Sequence, residues 1–154
     1  MSMGAPLPRR YNAAVDLIER NLRGGLRDKV AYIDDAGAYS YGELAERVDR
    51  CASALRGLGV QVEQRVLLCL TDTIDFPAAF LGCIKAGIVP VAVNTLLTPA
   101  DIAYVLDDSR ATAIVISAHL LPSLAPVLGK GDNLRHIIVS GAVTDLYGDR
   151  KSVV

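Results

Sequence analysis

Apolar residues along this chain alternate between helical and strand-like spacing. Asn12 can cap a helix whose apolar positions are Val15, Ile18 and Leu22, with a stop at Gly24-Gly25. Lys29–Ile33 has strand character, and Asp34–Gly37 is a turn leading into a short second strand. Ser40-Tyr-Gly-Glu43 has capping-box spacing: the hydroxyl can accept from the third helical N–H while the carboxylate reaches back to the cap N–H. The helix begun there carries Leu44, Val48, Cys51, Leu55 and Leu58 on one face. Arg47, Asp49, Arg50 and Arg56 lie off that stripe, and Gly59 supplies the stop.

The second half is more apolar. Arg65–Leu70 has consecutive apolar residues, as in a parallel strand covered on both faces. Pro77 is tolerated only near a helix start, so the next helix is expected to begin around Ile74–Phe76 and to run to Ala86. Phe76–Ile84 is apolar on every side, which predicts a buried helix with exposed apolar surface wherever cover is missing, and Gly82 permits close approach of a neighbour. Ile88–Val93 is a strand in which Pro90 marks a start or an edge. Thr98-Pro-Ala-Asp101 repeats the capping grammar, opening a helix to about Ser109 with Ile102, Val105 and Leu106 inward. Ala113–Ser117 is a strand, Leu120–Leu128 a helix and Leu134–Val139 a last strand. Strand and helix alternating with short connections predict an α/β fold, a mainly parallel sheet layered with helices.

Composition narrows the function classes. Of 154 residues, 51% are apolar, enough to build a core and too many for a disordered chain. Sixteen basic against seventeen acidic residues give a net charge of −1, which removes the phosphate-neutralising force behind unspecific nucleic-acid binding. The three cysteines, Cys51, Cys69 and Cys83, have no disulfide or zinc spacing and are expected to be reduced core thiols of a cytoplasmic protein. Ala111–Gly129 is uncharged, but Pro122, Pro126, Ser117, His119 and Ser123 interrupt it, so strand-plus-helix is preferred to a membrane span.

No catalytic constellation is legible. Gly57-Leu-Gly59 follows a helix rather than a strand and is a helix stop rather than a phosphate loop. Ser117 and His119 lack a third partner, and His136 sits mid-strand. The acid pairs Asp34-Asp35, Asp72/Asp75 and Asp107-Asp108 fall at turns and helix ends, where carboxylates bond local N–H groups.

Several segments, however, resemble a known family. Tyr39–Leu44 resembles the first signature box of the adenylate-forming superfamily, and Cys83–Val91 its second. Arg65–Leu68 lies between them and Thr98–Ser109 after them, in the family's order. Within the superfamily the likeness is to benzoate-CoA ligases and their 4-hydroxybenzoate relatives, through Lys29–Asp35, Thr73–Pro77 and Pro90–Pro99. It covers about residues 11–141.

The resemblance implies a ligase that uses ATP, Mg²⁺ and CoA: an aromatic carboxylate attacks the α-phosphate to form an acyl-adenylate, and the CoA thiol then displaces AMP. The phosphate loop, magnesium-binding Glu, ribose-binding Asp and C-terminal Lys of that family do not occur in these 154 residues. The chain is therefore expected to be the N-terminal subdomain of such a ligase, inactive alone, with no catalytic or metal-binding residue of its own. It is expected to bind no nucleic acid or membrane and to self-associate through exposed apolar surface. A self-standing, non-catalytic binding or regulatory module is the alternative. Residues 1–10 are expected to be a disordered start, 11–141 the subdomain and 142–154 an irregular tail. Asn94, Thr95 and Leu96 are the candidate substrate- or CoA-adjacent residues. They follow a strand taken as central, and some relatives carry a phosphate-contacting basic residue in this turn where Leu96 stands.

Overall fold

The computed structural model describes residues 8–129 and 131–141, so residues 142–154 and most of the expected disordered start lie outside it. Five helices and six strands follow in the predicted order. Helix α1 (Ala13–Arg23) is capped by Asn12, whose side chain accepts from the Val15 N–H. Strands β1 (Val30–Asp34) and β2 (Gly37–Ser40) form an antiparallel hairpin. Helix α2 (Tyr41–Gly57) opens with the predicted capping box between Ser40 and Glu43. Then come β3 (Arg65–Cys69), α3 (Asp75–Ala86), β4 (Val89–Ala92), α4 (Pro99–Ser109), β5 (Ala113–Ser117), α5 (Leu121–Leu128) and β6 (His136–Ser140). The Thr98–Asp101 capping box opens α4. Gly87 ends α3 with a φ of 78°, a left-handed conformation that costs glycine no Cβ clash.

Strands β3 to β6 form one parallel sheet in the order β4-β3-β5-β6. Alternate residues of each strand face opposite sides, and both sides are covered. On one, Val66, Leu68, Ala113, Val115 and Ile138 pack against Leu55 of α2 and Ala79 and Cys83 of α3. On the other, Leu67, Cys69, Ile114, Ile116 and Val139 pack against Ile102 and Leu106 of α4 and Leu124 and Leu128 of α5. A third cluster, Ile18, Leu44, Val48, Ile74 and Ala78, joins α1 and the hairpin to the outer side of α2 and α3. Helix α3 is thus sandwiched, which accounts for its lack of a polar face. All three cysteines are free thiols, and Cys69 and Cys83 are buried. No helix among the described residues is long and apolar enough to cross a membrane.

Three details differ from expectation. The segment after β5 first forms a 3₁₀ turn, Ala118–Leu120, before α5 begins. Strand β6 starts at His136, because Leu134 is apolar for packing against the α4–α5 side and not for pairing. Strand β4, taken as central, lies at the sheet edge.

Candidate functional site

In an open α/β sheet, ligands bind outside the carboxyl ends of the strands, where the winding direction reverses. Here the chain passes from β3 outward to β4, then crosses back to β5 and proceeds to β6, so the reversal lies between β3 and β5. A cleft of about 640 Å³ opens at that place. Its lining comes from the segments leaving three strands: Thr71–Asp75 after β3, Ser117–His119 after β5, and Ser140-Gly141 at the end of β6. The β1–β2 turn, with Asp34 and Asp35, together with Tyr39 and Arg47, closes one side.

Side-chain bonds fix this rim. Ser117 is 4% exposed, and its Oγ accepts from the Thr71 N–H at 3.0 Å while lying 3.2 Å from the Thr71 hydroxyl. One hydroxyl hydrogen serves that pair, which leaves the other for an acceptor in the cleft. The Asp34 carboxylate accepts from the Ile74 N–H at 2.9 Å and from Ala36 and Gly37 in its own turn. Ile74 is the cap residue of α3 and has no side-chain cap, so an acid from the hairpin supplies an acceptor at that helix start. The Ile74 N–H, with those of Ala36 and Gly37, holds the Asp34 carboxyl below the usual carboxylate range. Ser140 Oγ donates to Asp75 at 2.5 Å, and Arg47 lies 3.7 Å from the other Asp75 oxygen and 5.1 Å from the centre of the Tyr39 ring. Arg47, which the apolar stripe placed on a polar face, is half-buried at the cleft.

Four carboxylates against one guanidinium make this a poor cradle for bare phosphate, and no Gly-rich loop contributes backbone donors. Asp34 and Asp75 are engaged by protein donors, and among the described residues no three His, Cys, Asp or Glu side chains are arranged to hold a metal. The Mg²⁺ implied by the resemblance therefore does not fit these residues. Ser117 and His119 both line the cleft, but no hydrogen bond joins them, so no nucleophile–base pair is formed. Burial lifts the thiols of Cys51 and Cys83 to about 11 and about 12, so neither is a thiolate nucleophile at neutral pH.

Asn94, Thr95 and Leu96 lie elsewhere, in the turn after the edge strand β4. The Asn94 side chain accepts from the Leu96 N–H at 2.9 Å, and Leu96 is 88% exposed. Sequence reading missed the cleft, although its residues directly follow three predicted strands. The signal that was lacking is long-range: strand order brings Asp75, Ser117 and Ser140 together, and the docking of the separate β1–β2 hairpin adds Asp34.

A family model described as AMP-binding enzyme matches residues 18–152. The benzoate–CoA ligase of Thauera aromatica is 58% identical over 136 residues, which is 88% of this chain and 26% of that protein. A solved benzoate CoA ligase from Burkholderia xenovorans LB400 superposes with a TM-score of 0.80 at 46% identity, covering 86% of this chain and 26% of the other. The anthranilate CoA ligase AuaEII, solved with anthranoyl-AMP, gives 0.82 at 32% identity, covering 90% and 27%. The chain thus spans about a quarter of the length of the curated relatives it matches.

Proposed function

The chain belongs to the AMP-binding enzyme family, and from that premise we propose that it forms the N-terminal α/β subdomain of an ATP-dependent aryl-acid CoA ligase. The observation that carries the reading is the 58% identity to a benzoate–CoA ligase over most of the chain. The fold is consistent with it: the parallel sheet has the shape of the matching part of two aryl-acid CoA ligases. In the whole ligase, an aromatic carboxylate and ATP give an acyl-adenylate and pyrophosphate, and CoA takes the acyl group with loss of AMP.

This subdomain acts as scaffold in that reaction. Its described residues offer hydrogen-bonding hydroxyls and a fixed rim, but among them there is no cationic or Gly-rich phosphate cradle at the cleft and no metal-binding cluster, so in this reading the charge developing on phosphate is stabilised by the rest of the ligase. The Asn94–Thr95–Leu96 turn is the proposed substrate- or CoA-adjacent element. Its exposed Leu96 offers apolar contact where a basic residue would offer charge.

The test is to titrate the purified chain with benzoate, ATP and CoA by calorimetry and to assay ATP–pyrophosphate exchange. Neither tight binding nor exchange above a mock preparation is expected. Exchange would place the chemistry within this chain, and tight binding would identify a self-standing binding module. Either result overturns the scaffold reading.

A further inference from the structure

We draw no further inference here: the strongest candidate, the groove of about 290 Å³ beside the β6 edge of the sheet, lined by Arg50, Cys51, Ala78, Val115 and Ile138, carries nothing, because it runs to Ser140 and Gly141 and nothing in the structure shows what covers it.

Discussion

Replacing Gly82 by alanine tests how closely α2 and α3 approach. A Cβ built at Gly82 would lie 2.8 Å from Cys51 Cβ, 2.9 Å from Cys51 Sγ and 3.2 Å from Val48 O. None of these is the tip of a flexible side chain: two belong to a short residue on the neighbouring helix and the third is backbone. The helices must therefore separate or α3 must shift, and such overpacking costs about 1–3 kcal/mol. Exchanging glycine for alanine inside a helix returns up to about 1 kcal/mol. The net expectation is a loss of about 1–2 kcal/mol, or a fall of about 2–8 °C in the thermal midpoint of a domain this size. Gly57 provides the matched control. It closes α2 with nothing within 4 Å of a built Cβ, so Gly57→Ala should be neutral or stabilising. Urea and thermal melts followed by circular dichroism measure both. If Gly82→Ala melts at or above the wild type, the close α2–α3 contact is wrong.

Leu55 is 1% exposed and Arg56 is exposed, so Leu55→Ala should cost about 2–5 kcal/mol and Arg56→Ala little; equal losses in urea melts would refute the register of α2. Ser40→Ala removes the hydroxyl that accepts the Glu43 N–H and should lower stability by about 0.5–2 kcal/mol in the same melts. The Asp34 carboxyl is depressed in the folded state, so its contribution is complete above the ordinary carboxylate range, near pH 4, and is lost as pH falls through its lower folded value. Asp34→Asn should therefore be less stable than wild type at pH 7, with the gap closing toward pH 3; a gap independent of pH contradicts the bond to Ile74. Burial raises all three thiols, so an aromatic disulfide reagent should react slowly with the native chain and titrate three thiols after denaturation; fast native labelling contradicts the packing.

Local chemistry was readable in the sequence where it acts over a few residues. The capping boxes at Ser40 and Thr98, the Asn12 cap, the close approach at Gly82 and the edge character of Pro90 each depend on near neighbours or on one residue's geometry. The parallel sheet could be inferred from strands of consecutive apolar residues, since such strands need cover on both faces. The candidate site could not, because it depends on strand order and on where the separate hairpin docks. Asp34 reads as a turn acid, and it is one, but the same carboxylate also holds the Ile74 N–H forty positions away. Asp75 reads as a helix-start acid, and only the placement of β6 beside β5 brings Ser140 to it. Arg47 lies off the apolar stripe of α2, yet the hairpin folds over it and Tyr39 covers its guanidinium. The Asn94 turn was singled out because β4 was taken as central. Pro90 is compatible with either a strand start or an edge, and the sheet order shows that β4 is an edge.

The central claim, that this chain is the N-terminal scaffold of an aryl-acid CoA ligase, is tested most directly by exchange. Residues 11–141 replace the matching quarter of the Thauera aromatica benzoate–CoA ligase, and benzoyl-CoA formation from benzoate, ATP and CoA is followed by chromatography. The account predicts a folded protein that forms benzoyl-CoA well above a mock preparation, because the chain is 58% identical to that ligase over 136 residues. A hybrid that is soluble, monodisperse and cooperatively folded, yet forms no benzoyl-CoA, would contradict it.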